Sequence, residues 1–239
     1  MIKVITFDLD DTLWEVTPVL IRAEKLLFNW LRQHCPELMQ RFSVQALRAM
    51  RMELIKSRPD LAHQITEARR YSLHTALQRA GIAEPAATEL AAQAMDVFMA
   101  ARHDVQLFDQ VEEVIAQLHN DYLLGVLTNG NADIYRLPLG RYFSFAYSAE
   151  SLNSSKPSPL HFERTLQKTG AKPDQIIHVG DHIEHDIAAA QRCGWQTIWL
   201  NLRQQAAPEL PQPTATIYHI AELPACVQQL GANSTTALP

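Results

Sequence analysis

Residues 7–14 read FDLDDTLW: directly behind the apolar run MIKVITF the chain places Asp8, Asp10 and Asp11, then Thr12. In extended backbone, residues two apart project to the same side. Asp8 and Asp10 therefore repel strongly unless a cation sits between them or one of them carries a proton. The pair calls for a strand end, a compensating charge and a use for a proton, all in one place. Residues 2–7, IKVITF, supply the strand, an apolar run that ends where the carboxylates begin.

The next segment is of another kind. From Thr17 to about His103 the pattern is helical throughout. Leu20, Ala23, Leu27, Trp30 and Leu31 form one apolar stripe, and Val44, Leu47, Met50 and Leu54 a second. Ile65, Ala68, Ser72, Leu73, Ala76 and Leu77 form a third, and Ala87, Leu90, Ala91, Ala94, Phe98 and Ala101 a fourth. Pro36, Pro59 and Pro85 fall between the stripes, as helix breaks. An all-helical module over residues 16–104 is expected.

After Gln106 the pattern alternates: helix 110–120, strand LLGVLTN, a short helix, strand FSFAYS, helix 159–169, strand IIHVGD, helix 184–192 and strand QTIWLN. Such alternation predicts right-handed βαβ units and a parallel sheet covered by helices. The opening strand belongs in that sheet, so residues 1–15 and 105–239 form one α/β core into which the helical module is inserted. ATIYHI, 215–220, reads as an edge strand, 222–230 as a last helix, GANSTTALP as a frayed end and 207–213 as a surface loop.

Composition removes several classes of function. With 47% hydrophobic and 20% charged residues in 239, there is ample material for a buried core and two unequal parts. A net charge of -5 argues against a general grip on nucleic acid or an anionic membrane, while leaving room for a local phosphate site. The sequence has no signal-peptide pattern and no apolar segment of spanning length, so a cytoplasmic protein is expected. Cys35, Cys193 and Cys226 lie far apart and form no CxxC pair, which suggests neither a disulfide framework nor a cysteine zinc site.

In open parallel sheets ligands bind beyond the carboxyl ends of the strands. VITF runs into Asp8, GVL into Thr128-Asn129-Gly130, and IIHV into Gly180-Asp181 with Asp186 shortly after; Lys156 follows a fourth strand in the loop SSKPSP. Asp8 and Asp181 suit Mg²⁺, a hard ion that takes a few carboxylates and substrate phosphate. Asp10 is placed to carry a proton for a leaving oxygen. Thr128 and the backbone N–H groups after it offer donors to anionic oxygens, and Lys156 offers positive charge. Together these parts suit phosphoryl transfer.

DxDxT at Asp8, Asp10 and Thr12, the apolar run ending in Thr128, the Lys156-Pro157 pair and GDxxxxD at Gly180, Asp181 and Asp186 resemble the four ordered motifs of the haloacid dehalogenase superfamily. The resemblance implies an α/β fold, a Rossmann-like parallel-sheet core with an inserted all-helical cap domain of the C1 kind. It implies that Asp8 attacks phosphorus to form an aspartyl-phosphate and that Asp10 protonates the leaving alcohol and then activates water. Thr128 and Lys156 would hold the phosphoryl group, with Leu9, Asn129 and Gly130 among its contacts. Mg²⁺ would be bound by Asp8, the main-chain carbonyl of Asp10 and Asp181, with Asp186 supporting. Dehalogenases expel halide, which needs no proton, and lack the second carboxylate, so Asp10 points to a phosphatase.

The stretch LTNGNADIYRLPLGRYF looks most like members acting on flavin mononucleotide, riboflavin-pathway phosphates or nucleoside monophosphates. The expected partner is thus a small phosphorylated metabolite, with no nucleic acid or membrane, and the chain a monomer or homodimer. A silent phosphate-binding regulator and a phosphomutase are the alternatives. Outside the motifs, Arg69 interrupts the third helical stripe, where a charge is costly unless paired. It either pairs with a carboxylate of the helical module, such as Glu67 or Glu53, or reads a substrate's anionic or carbonyl groups, a binding role. Trp14 either stacks on a flat substrate ring or packs in the core against the cap. Asp186 either touches the metal or caps the helix beginning near Ile183. His178, His182 and His185 are expected to be solvated rather than zinc ligands.

Overall fold

The structure, a computed structural model, describes residues 1–206 and 209–236. Strands β1 (Val4–Phe7), β2 (Leu123–Thr128), β3 (Phe145–Ser148), β4 (Ile176–Gly180), β5 (Gln196–Leu200) and β6 (Ala215–Ile217) form one parallel sheet in the order β3-β2-β1-β4-β5-β6. The fold is α/β. Every residue of β1 is buried, since a central strand covered on both faces reads as a continuous apolar run instead of alternating. Phe7 lies opposite Val126 of β2 and Val179 of β4. Strand order therefore reverses beside β1, and the crevice that such a switch point opens lies beyond Phe7, where the carboxylates begin.

The chain divides into two compact units, Met1–Glu15 with Gln106–Pro239, and Val16–Val105. The second is helical: α1 (Val16–His34), α2 (Pro36–Arg41), α3 (Val44–Ser57), α4 (Ile65–Arg79) and α5 (Ala86–Arg102). Where sequence predicts four helices there is a fifth, α2, which starts on Pro36; proline is tolerated in a first turn, where its missing N–H would be unbonded anyway. The core stripe of α1 is Val19, Ala23, Leu27 and Leu31, so Leu20 turns outward, as does Ile65 on α4. Ala68, Ala76, Ala87, Ala91 and Ala94 are fully buried, and small side chains at these positions let the helices approach closely around Leu77 and Phe98.

In the first unit the sheet carries α6 (Val111–His119), α7 (Ala149–Leu152), α8 (Leu160–Thr169), α9 (Ala189–Arg192) and α10 (Leu223–Thr236). Val111, Val114, Ile115 and Leu118 give α6 the i, i+3, i+4, i+7 face it buries. Phe162 on α8 meets Trp195 edge-on at 5.1 Å and His178 at 5.7 Å. Two boundaries differ from expectation. The helix predicted at 184–192 opens as a π-helical turn, Ile183–Ala188, before α9, and that wide turn carries Asp186 inward. The last helix runs on to Thr236, so the fraying expected from 231 does not begin there; 237–239, and 207–208 of the expected surface loop, lie outside the described residues.

Candidate active site

Beyond β1 the chain makes a tight turn. The N–H of Asp8 still pairs with Val179 O at 2.9 Å, and Leu9 O then accepts from Thr12 N at 3.2 Å and Leu13 N at 2.8 Å. Asp11 takes a left-handed φ of 59° to close the turn and donates its N–H to Trp14 O at 2.7 Å. Asp10 is thereby brought back toward Trp14, whose indole Nε1 donates to its carboxylate Oδ1 at 2.9 Å. Trp14 is fully buried. That burial rules out stacking on a substrate, and its hydrogen bond gives it the work of holding Asp10. The side chain of Leu9 is likewise fully buried, so only its main chain is available to a ligand.

Lys156 is 2% exposed, and each of its three ammonium hydrogens has a partner: Leu127 O at 2.6 Å, Asp8 Oδ1 at 3.0 Å and Asp186 Oδ1 at 2.6 Å. Its main chain is fixed by Asn129, whose side chain accepts from Lys156 N at 2.7 Å and donates to Lys156 O at 2.9 Å. Asn129 thus acts on Lys156 through its side chain. The Thr128 hydroxyl accepts the Gly130 N–H at 3.0 Å. Asp186 reaches Lys156 because residue 180 is glycine: a Cβ there would lie 2.4 Å from the Asp186 carboxylate.

Asp186 also accepts the His182 N–H at 3.0 Å and meets His178 Nε2 at 3.2 Å, while His178 Nδ1 lies 2.8 Å from the Thr6 hydroxyl. A carboxylate only accepts, so Nε2 carries the proton and Nδ1 accepts from Thr6. Burial keeps His178 below its ordinary pKa, in accord with this neutral form. The expectation of a solvated His178 is therefore corrected. A residue midway along a strand covered on both faces has no route to water. The cap at the π turn is also reassigned: His182 Nδ1 accepts from Glu184 N and His185 N, both at 3.2 Å, and stacks on the His185 ring at 4.0 Å.

Asp181 completes the group. Thr12 Oγ1 donates to its carboxylate at 3.1 Å, and buried Trp199 donates from Nε1 to its main-chain O at 2.8 Å. Single carboxylate oxygens of Asp8, Asp181 and Asp186 all lie within 4.8 Å of one another. With Asp10, Thr128, Asn129, Gly130 and Lys156 they line a cleft of about 180 Å³. Burial pushes Asp8 up to about 8; Lys156 opposes the rise, and Asp186, Asp181 and Asp10 add to it. Burial, then Asp186, pushes Asp181 up to about 6. Burial works against ionised Asp186 too, but Lys156 and His178 hold it well below the carboxylate range, and Lys156 in turn is held above its own. Three carboxylates against one ammonium leave a surplus of two negative charges when all are ionised. An all-oxygen donor set with that surplus fits a hard divalent cation.

Of the residues singled out in the sequence, Asp8, Asp10, Leu9, Thr128, Asn129, Gly130, Lys156, Asp181 and Asp186 gather at this strand-end edge. Arg69 lies in the helical unit, where it faces a carboxylate of that unit, Glu24, in place of Glu67 or Glu53. Glu67 pairs instead with Arg70. Sequence reasoning missed the holding roles of Trp14, His178 and Trp199. Only His178 carried a signal, a polar residue inside an apolar run.

Comparison with known proteins places the chain in a family. Residues 2–194 match the family model described as haloacid dehalogenase-like hydrolase. The 5-amino-6-(5-phospho-D-ribitylamino)uracil phosphatase YigB of Escherichia coli is 31% identical over 199 residues, covering 83% of each chain. Pyrimidine 5'-nucleotidase YjjG of the same organism is 32% identical over 107 residues, 42% of this chain and 47% of its own. A crystal structure named 2-haloacid dehalogenase, from Pseudomonas syringae pv. Tomato DC3000, is 39% identical with a TM-score of 0.92, covering 96% of this chain and 99% of its own. The chain belongs to the haloacid dehalogenase-like hydrolases.

Proposed function

We propose that the protein is a Mg²⁺-dependent phosphatase of small phosphomonoesters, working through an aspartyl-phosphate at Asp8. The observation that carries this is the cleft itself: a buried carboxylate for attack, a second one two residues on and held by Trp14, and a third and fourth within reach of a cation. Ionised Asp8 attacks phosphorus, the bond from phosphorus to the alcohol oxygen breaks, and Asp10 delivers its proton to that oxygen. Water then attacks the same phosphorus, Asp10 takes the proton, orthophosphate leaves and Asp8 is restored. Lys156, fixed by Asn129, keeps Asp8 and Asp186 apart and partly neutralised, and the Thr128 hydroxyl donates to a phosphoryl oxygen. Asp8, Asp181 and the Asp10 carbonyl would hold Mg²⁺, with Asp186 supporting them, and the ion would supply positive charge to the phosphoryl oxygens.

Flavin mononucleotide, related riboflavin-pathway phosphates and nucleoside monophosphates are the proposed substrates, supported by the names of the two Escherichia coli relatives. The helical unit is proposed to serve as a cap that excludes water during turnover. A dehalogenase is the second reading, favoured by the name of the Pseudomonas structure. Asp10 weighs against it, since a halide leaves without a proton. The test is phosphate release from p-nitrophenyl phosphate and from flavin mononucleotide and 5'-nucleotides, beside halide release from 2-chloropropionate. Phosphate release that EDTA abolishes is expected. Halide without phosphate would replace this function with the second.

A further inference from the structure

The helical unit holds a second concentration of charge, all of it within Val16–Val105. Glu24 of α1 faces Arg48 and Arg51 of α3 and Arg69 of α4. Arg48 holds Oε2 through Nε at 3.1 Å and through Nη2. Oε1 is left to Arg51 at 3.6 Å and Arg69 at 3.7 Å, both beyond hydrogen-bond distance. The Arg69 Nη1 atom is inaccessible to water and makes no hydrogen bond among the described residues. Its guanidinium lies 3.7 Å above the Phe98 ring, a contact that offsets part of the lost hydration but supplies no acceptor.

Three guanidiniums share one carboxylate, which leaves a surplus of two positive charges. Burial first, then Arg51, works against the charge of Arg69, pulling it down to about 9. Arginine keeps its proton all the same, so the strain is electrostatic and an added anion relieves it. The cluster is not sealed: the Arg48 side chain is 51% exposed and that of Arg51 21%, against 14% for Arg69 and 16% for Glu24. Guanidinium forks match the oxygens of a phosphate or sulfate group in pairs.

We propose that Arg48, Arg51 and Arg69 form an oxyanion site in which Glu24 is the resident counter-ion and a dianionic phosphate- or sulfate-like group, free or carried on a metabolite, is the guest.

The test is calorimetric titration of inorganic sulfate into the metal-free protein at constant ionic strength. Without a cation the surplus negative charge of the catalytic cleft repels sulfate, so that cleft does not compete. One saturable site is expected, weakened roughly tenfold or more by Arg51→Gln and by Arg69→Gln, through loss of one charge-assisted contact each. Glu24→Gln, which removes the competitor, is expected to tighten it by a similar factor, and circular dichroism confirms that each variant is folded. No saturable binding in either wild type or Glu24→Gln overturns the site, as does equal affinity in wild type, Arg51→Gln and Glu24→Gln. A further arm rests on the phosphatase function. If Arg51→Gln raises KM for a bisphosphorylated sugar but not for p-nitrophenyl phosphate, the guest is part of the substrate. If both KM values stay level while sulfate binding is lost, the guest is a separate anion. Should no phosphate ester be turned over at all, the calorimetry still decides the site.

Discussion

Two charge clusters in this molecule are near opposites. At the sheet edge three carboxylates gather with one ammonium, which bonds two of them; in the helical unit three guanidiniums surround one carboxylate. The first is closely bonded, with every hydrogen of Lys156 spent on a partner at 2.6–3.0 Å. The second is loose, with two of its three ion contacts beyond 3.5 Å. A compact ammonium on a fixed backbone can organise its neighbours, whereas long guanidinium arms around one shared acceptor cannot all be satisfied. The acidic cluster is thus set in place before any ligand arrives, and the basic one is completed by its guest.

Breaking the acidic cluster at its reactive member has the largest expected effect. Asp8→Asn is expected to lower kcat by at least about 10³-fold with the fold intact, read by phosphate release and circular dichroism. Asp10→Asn comes next, at roughly 10²- to 10⁴-fold, and recovery of rate on substrates with very acidic leaving groups would mark the loss as that of a proton donor. Lys156→Met tests organisation. It leaves buried Asp186 without its cation and is expected to cost about 3–5 kcal/mol in denaturant unfolding, partly offset by added Mg²⁺.

A milder test uses pH. Asp8 and Asp181 rise on folding from an ordinary 3.8 to about 8 and about 6, so the folded protein binds protons more tightly than the unfolded one. Metal-free stability must then fall as pH rises across that window, while the depressed Asp186 acts only below 3.8. The upward shift of Tm caused by Mg²⁺ is therefore expected to be larger at pH 8 than at pH 5; a pH-independent shift would place the ion elsewhere. Smallest is Trp14→Phe, which keeps an aromatic side chain but drops the N–H that bonds Asp10, with an expected loss of roughly tenfold in kcat and little change in KM.

Much of the acidic site is legible in the sequence, because Asp8, Thr128, Gly180 and Asp181 each close an apolar run and alternation alone orders those runs into a sheet. What holds the site is not legible. In the sequence Trp14 could equally stack on a substrate or pack in the core and Trp199 is one residue of a strand; only the turn at Asp11 and the pairing of β5 with β4 decide that their indole N–H groups aim at Asp10 and Asp181. His178 reads as polar, and only burial on both faces makes it a fixed donor to Asp186. In the helical unit a misplaced Arg69 is visible from its stripe, but its partner Glu24 lies on another helix, and helix-to-helix register is not written in any one period.

Gly180 shows that a missing atom can be a working part. The Asp186 carboxylate occupies the volume a methyl group would need, so the ammonium of Lys156, the imidazole of His178 and the main chain of His182 all converge on an oxygen pair lodged against bare backbone. Even alanine at residue 180 would shift that carboxylate, and the displacement would pass through Lys156 to the nucleophile itself.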